Sequence, residues 1–216
     1  MISPVPFSGT GDVIIPGGAF ERKTTRMDAG GKRGESPPEE ETDMAGFEIR
    51  TERLVLKPLG TQFLDSTNEY ALDPENTRMM IFLPHKDSDE TVEYLKRVEE
   101  EWDKEKPEFC EFAVMLGDRH VGTVDISLGE EGSELGWIIN RRYQGQGIAY
   151  EATKAMMEHF ARNFGVRHFT AHCDTMNKPS YSLMEKLGMK RTDEHGGRRN
   201  RFAESDSSEY LYELFL

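Results

Sequence analysis

The chain has 216 residues, of which 40 are acidic and 27 are Lys or Arg, a net charge of −13; such a surface disfavours nucleic acid, whose phosphates call for basic side chains, and suits a cationic small molecule or a basic peptide. Hydrophobic residues make up 36%, enough for a modest core, yet no apolar run reaches the roughly 18 residues of a membrane-spanning helix, so no membrane partner is expected. Cys110 and Cys173 are the two cysteines, and with neither a disulfide framework nor metal-type spacing they fit a reducing cytoplasm and no metal.

The N-terminal stretch MISPVPFSGTGDVIIPGG lacks the basic region and long apolar segment of a signal peptide. Residues 1–45 include DAGGKRGESPPEEETDMAG, which has almost nothing apolar to bury against its ordering entropy and predicts a disordered leader. Residues 46–216 read as one globular domain. FEIRTERLVLKPL alternates apolar and polar residues and predicts a strand. TQFLDSTNEYALD then places Phe63, Leu64, Thr67, Tyr70 and Ala71 at helical spacing. Asp73-Pro74-Glu75 reads as a cap, a first-turn proline and a new short helix. DSDETVEYLKRVEEEWDKEK predicts a longer helix, capped by Asp87 or Ser88, with Val92, Leu95, Val98, Glu99 and Trp102 along its inner side and edge.

Three strands follow, EFCEFAVML, RHVGTVDISL and SELGWIIN. Gly117-Asp118 turns the first hairpin and residues 129–132 the second. A helix over Ile148–Phe164 puts Ile148, Ala152, Ala155, Met156, His159 and Phe160 on one face and stops at Gly165. VRHFTAHCDT reads as a strand, and NKPSYSLMEKLG as a helix capped at Asn177 and stopped by Gly188. EHGGRRNRF reads as a flexible basic loop that either gates a pocket or joins strands, and SEYLYELFL is a last strand. One β-α-β unit inside an otherwise antiparallel set predicts an α+β fold with a mixed, mainly antiparallel central sheet flanked by helices.

Between SELGWIIN and its helix stands RRYQGQGIAYEA. The dinucleotide pattern G-x-G-x-x-G fails at Tyr150, and a P-loop would need Lys-Ser/Thr where Ile148-Ala149 stands. What is left is a short anion-binding turn on a helix N-terminus, with Arg141 and Arg142 alongside, or a plain strand-to-helix turn with solvated arginines.

Arg142-x-x-Gly145-x-Gly147, followed one strand later by NKPSYSLMEKLGM, resembles the two signature blocks of the GNAT acetyltransferase superfamily. TERLVLKPL resembles the opening strand of its Rim-type branch, which contains acetyltransferases of ribosomal-protein N-termini. The likeness runs from Phe47 to Leu216. It implies a GNAT-like acyltransferase fold in which LGWIIN and FTAHCDT splay apart around acetyl-coenzyme A. It further implies that backbone groups of Trp137, Ile138 and Ile139 pair with the pantetheine arm. Arg142, Gln144, Gly145, Gln146 and Gly147, with Ile148 and Ala149, would surround the pyrophosphate. Asn177 would reach the pantetheine, although Asn is also a favoured helix cap.

Direct transfer to an amine, without an acyl-enzyme, calls for a base and, where the thiolate needs one, an acid. Family members often carry a Tyr acid seven residues after the Asn, where this chain has Met184. The Rim-type resemblance points instead to Ser180 as the acid and to Glu134 as the base. Asp125 and Asp174 are fallback bases, and Tyr181 is a weaker acid candidate. His172 and Cys173 read as core or rim residues rather than a nucleophilic pair. The expected activity is acetyl transfer to a primary amine of a peptide, protein N-terminus or small molecule. A non-catalytic acyl-coenzyme A-binding regulatory module is the alternative, and a homodimer is compatible with the sequence.

Overall fold

The computed structural model describes residues 47–216; the expected leader at 1–45 lies outside them. Eight strands and five helices run in the order β1 (Ile49–Arg50), β2 (Leu54–Pro58), α1 (Leu64–Ala71), α2 (Pro74–Thr77), α3 (Ser88–Trp102), β3 (Phe109–Leu116), β4 (Arg119–Ser127), β5 (Ser133–Ile139), α4 (Ile148–Asn163), β6 (His168–Asp174), α5 (Lys178–Lys186), β7 (Lys190–Arg198) and β8 (Ser207–Phe215). They form one sheet in the order β1-β2-β3-β4-β5-β6-β8-β7. Every neighbouring pair is antiparallel except β5 and β6. The α+β expectation holds.

Local chemistry accounts for most boundaries. Asp73 caps α2 by accepting from the Glu75 N–H at 3.0 Å, with Pro74 in the first turn. Asp87, not Ser88, caps α3, accepting from the Glu90 N–H at 3.0 Å. Gly165 and Gly188, after α4 and α5, adopt φ of 71° and 89°, which a side chain would resist. On α4, Ile148, Ala152, Met156 and Phe160 enter the core as their spacing predicts.

Two expectations are corrected. The first strand is a small hairpin rather than one run. The Thr51 hydroxyl accepts the Leu54 N–H at 2.8 Å and the Thr51 N–H reaches the Leu54 carbonyl at 2.9 Å, folding the chain back so that Arg50 faces Val55. And residues 194–198 of the expected basic loop are not a loop, because they belong to β7, paired along β8.

Core packing divides by face. Phe112, Val124, Leu135, Ile139, Phe169 and Cys173 join the cluster that contains α4 residues Met156 and Phe160. On the opposite face, Ile138 packs in a smaller cluster with Tyr70, Ala71, Met80 and Leu83.

Candidate active site

β5 and β6 pair only through Ser133↔Phe169 and Glu134↔Thr170. Beyond Glu134 the two strands carry no further pairing, which is the splay the sequence resemblance leads one to expect. The Asn140 N–H bonds the Val121 carbonyl at 2.8 Å. By the antiparallel alternation, the backbone groups of Glu134, Gly136 and Ile138 then point to β4, and those of Leu135, Trp137 and Ile139 into the gap. The Ile139 carbonyl is taken already, by the Gln144 amide at 2.9 Å and the Asn76 amide at 3.3 Å. Trp137 is thus the member of the expected trio whose backbone opens on the gap, while Ile138 contributes a side chain to the opposite face.

The wide end of the gap runs into the glycine loop. Gly145 and Gly147 hold φ of 75° and 77°, so their need for glycine is set by a left-handed backbone as well as by access. An added Cβ on Gly145 would meet no atom within 4 Å, so that side of the loop faces open space. Gly147 is the N-cap of α4 and supplies no side-chain cap, leaving the first N–H groups, those of Ile148 and Ala149 among them, to an outside acceptor. The expected arginines are partly engaged elsewhere: Arg142 pairs with Glu69 at 3.4 Å and Arg141 with Asp73 at 3.1 Å. Gln146 offers its carbonyl to Arg53 at 3.1 Å.

Arg53 was not among the expected site residues. It arrives from the β1–β2 turn, donates through Nε to Glu151 at 2.7 Å, and stands with a guanidinium nitrogen 3.6 Å from where a Cβ on Gly147 would be. Its one sequence signal was TERL, read as part of a strand.

Asn177 caps α5, its Oδ1 accepting the Ser180 N–H at 3.3 Å. Ser180 lies beside Cys173, whose thiol burial pushes up to about 11, with Arg198 and Ser180 acting in the lowering direction. Cys173 points to the α4 side of the sheet with Phe169 and Ala171. Glu134, Thr170 and His172 point to the other side. Ser180 and Glu134 therefore approach the splayed strands from opposite faces.

The Glu134 side chain reaches solvent, yet crowding at the apex desolvates its carboxyl and raises it above its ordinary value; Glu209 pushes the same way, and His172 and Arg198 oppose. Asp174 is not available as a base. Burial alone would raise it, but the Ser207 hydroxyl (2.7 Å), the Met176 N–H (2.8 Å), the Asn200 amide (2.6 Å) and Arg198 together hold it below the usual carboxylate range. Met184 is fully buried in the main core cluster. Tyr181 stacks edge-on against Tyr210, away from the gap. The segments at 79–82 and 198–201 meet over the open face, where the Arg201 N–H bonds the Met80 carbonyl at 2.9 Å and Arg198 bonds the Met79 carbonyl at 3.0 Å. Among the described residues no group of three His, Cys, Asp or Glu is placed to hold a metal, and no helix is long and apolar enough to cross a membrane.

A match to the family described as "Acetyltransferase (GNAT) domain" covers residues 53–190. The chain is 40% identical over 63 residues to the uncharacterized N-acetyltransferase YnaD of Bacillus subtilis, a match spanning 29% of this chain and only 37% of that protein. It is 22% identical over 146 residues to the uncharacterized N-acetyltransferase p20 of Bacillus licheniformis, spanning 66% of this chain and 82% of that one. In fold it is similar to a GNAT-family acetyltransferase from Bacillus anthracis (TM-score 0.68, 23% identity, 78% of this chain and 98% of the other). It is also similar to RimL, a ribosomal L7/L12 alpha-N-protein acetyltransferase in complex with coenzyme A (TM-score 0.67, 15% identity, 79% and 98%). With the family match running from Arg53 through the glycine loop to Lys190, the chain belongs to the GNAT acetyltransferase family, whose general reaction is acetyl transfer to amines.

Proposed function

We propose that this chain transfers the acetyl group of acetyl-coenzyme A directly to a primary amine of a peptide or small molecule. The observation that carries the reading is the position of Glu134 at the point where the one parallel strand pair among the described residues opens, with Ser180 by Cys173 farther along the other strand and on its opposite face. The uncapped, left-handed turn at Gly145 and Gly147 fits a pyrophosphate: it is open on one side and presents free N–H groups of a 16-residue helix. Trp137 has backbone groups free to pair with the pantetheine arm, and its N–H is placed to polarise a thioester carbonyl. Asn177 keeps its amide nitrogen for the same arm while its oxygen caps α5.

Acetyl-coenzyme A supplies the thioester. Glu134, on the acceptor face, takes a proton from the ammonium, directly or through water, so that the free amine forms the new C–N bond. The C–S bond breaks as the nitrogen gives up its second proton to solvent, and Ser180, on the far face, would donate a proton to the departing sulfur and regain one from water. The raised Glu134 carboxyl is the better matched to an amine for that shift. The same shape would serve an acyl-coenzyme A-binding module, so turnover decides. Thiol release is to be measured over a panel of amines and N-terminal peptides, with Glu134→Gln alongside and coenzyme A affinity by calorimetry. Release that Glu134→Gln cuts by about a hundredfold, with unchanged cofactor affinity, supports the base role. Binding of acetyl-coenzyme A with no acceptor releasing thiol would overturn the transferase reading.

A further inference from the structure

His172 is a nitrogen base on the acceptor face that the reaction just described leaves unused. It stands on β6 two residues beyond Thr170, the register partner of Glu134, so it shares the face of Thr170 and lies on the β6 lip of the opening gap. It is close enough for its charge to act on Glu134. Asp125, on β4, is the titratable neighbour on the inner side, lying against Gly136.

The His172 ring is aimed by a carboxylate. Its Nδ1 is 3.5 Å from Oε1 of Glu209 on β8. Glu209 is itself locked in place, because its other oxygen accepts from Arg198. Arg198 is buried, and it also donates to the Asn200 side chain at 2.9 Å and to the Met79 carbonyl at 3.0 Å. His195, the register partner of Glu209 on β7, shares Oε1 at 3.2 Å and has its own Nδ1 3.4 Å from Asp193. Glu213, farther along the same face of β8, is held by His168 at 2.9 Å. A carboxylate at Nδ1 keeps the neutral ring's proton on that nitrogen and leaves the Nε2 lone pair as the acceptor. With Nδ1 turned to β8, Nε2 is the nitrogen left for the β5 side, where Glu134 stands.

We propose that His172 relays the proton that Glu134 takes from the acceptor ammonium. The inference rests on the base role proposed for Glu134. An acceptor seated over Glu134 screens that carboxyl from water, so the proton has to leave sideways. Neutral His172 takes it at Nε2, the Glu134 carboxylate is restored, and Glu209 balances the charge of the imidazolium. Once the product has left, half-buried His172 gives the Nε2 proton to water and returns to its neutral form. His172 touches neither reactant; it is a positioning residue that acts through Glu134.

The test uses thiol release at pH 7.5 over the same panel of amines and N-terminal peptides. Wild type, His172→Ala, His172→Gln and Glu134→Gln are compared with and without imidazole in the buffer. His172→Ala is expected to lose at least about tenfold in kcat while its KM for acetyl-coenzyme A is unchanged. Added imidazole is expected to restore most of that loss and to leave wild type unaffected, a rescue that a merely structural ring would not show. His172→Gln fills the space without supplying a base, and is expected to fall as far and to resist rescue. Calorimetry with coenzyme A checks that each variant is folded; if His172→Ala fails there, the kcat of His172→Gln decides. Full rate in the His172 variants, or a loss in His172→Ala that imidazole does not repair, would overturn the relay. A loss in His172→Ala with none in Glu134→Gln would overturn it as well, by making His172 the base itself. No thiol release by wild type with any acceptor would instead sink the transferase reading, and the relay with it.

Discussion

Arg53 and Glu151 are 98 positions apart in the chain and meet at the mouth of the glycine loop, with Nε to Oε2 at 2.7 Å and the Arg53 N–H to Oε1 at 3.1 Å. Thr51 adds its hydroxyl to the same carboxylate at 2.5 Å. Burial alone would raise the Glu151 carboxyl, but Thr51 and Arg53 together hold it below its ordinary value. The result is a cation fixed beside Gly147 and tied to the Gln146 carbonyl. A guanidinium can hold the carboxylate and the carbonyl together, which an ammonium cannot copy. Arg53→Ala is expected to weaken coenzyme A binding by about tenfold in calorimetry, and Arg53→Lys to recover only part of it. Glu151→Gln, which keeps the shape but frees the guanidinium, is expected to fall between.

The loop glycines separate backbone strain from ligand access. At Gly145 an added Cβ meets nothing within 4 Å, so the cost of Gly145→Ala to the free protein is the left-handed φ alone, about 1 kcal/mol. Asn tolerates that conformation better than Ala, so Gly145→Asn is expected to have the higher Tm of the two. Both place a side chain on the open side of the loop, and both are expected to weaken coenzyme A binding. An unchanged Kd in Gly145→Asn would remove the pyrophosphate from that side of the turn.

The glycine loop and the α5 cap were legible in the sequence because each rests on local chemistry, whereas the splay of the strands came only from the family resemblance. Positive φ selects Gly145 and Gly147, and Asn177 is a good cap whatever else it does. What escaped depends on partners far away in sequence. Arg53 reads as one polar position in an alternating run until Glu151 comes to meet it. β7 could not be read from KRTDEHGGR, since eight of its nine residues are exposed and leave no alternation to see; β8 imposes the strand. Asp125 and Asp174 looked alike as strand carboxylates. Ser207 and Asn200, 33 and 26 positions away from Asp174, made one structural, and register set the other beside Glu111 and Gly136, where burial raises its carboxyl.

Thr153 is fully buried on α4, and its hydroxyl has no hydrogen-bond partner among the described residues. Val has the same shape without the polar atom, and replacing an unsatisfied buried group by an apolar one of equal size is neutral or favourable. Thr153→Val is expected to raise the urea midpoint, by an amount corresponding to about 1 kcal/mol. A loss of stability would mean that the hydroxyl is satisfied in solution.

His120 sets a pH limit on the fold. It is largely buried, with one ring nitrogen 2.8 Å from the Ser66 hydroxyl and the other 2.9 Å from the Gly122 carbonyl, and its ring packs against Phe63 and Tyr70. Burial lowers its pKa to about 4, the Gly122 carbonyl opposing. The unfolded chain takes up a proton at this side chain near pH 6.5, and the folded chain only near 4, so between those values the unfolded state holds more protons. The stability contributed by neutral His120 is therefore complete above about pH 6.5 and is lost on acidification toward 4, by up to about 3 kcal/mol. The raised carboxyls of Glu111, Asp125 and Glu134 act with the opposite sign, because the folded state keeps their protons longer. Wild type alone would mix the two effects, so the comparison with His120→Gln isolates the histidine. Urea midpoints taken from pH 7.5 to 4.5 are expected to fall more steeply in wild type than in His120→Gln, which is less stable at pH 7.5 but flatter; parallel curves would show that His120 is protonated as readily in the folded chain as in the unfolded one.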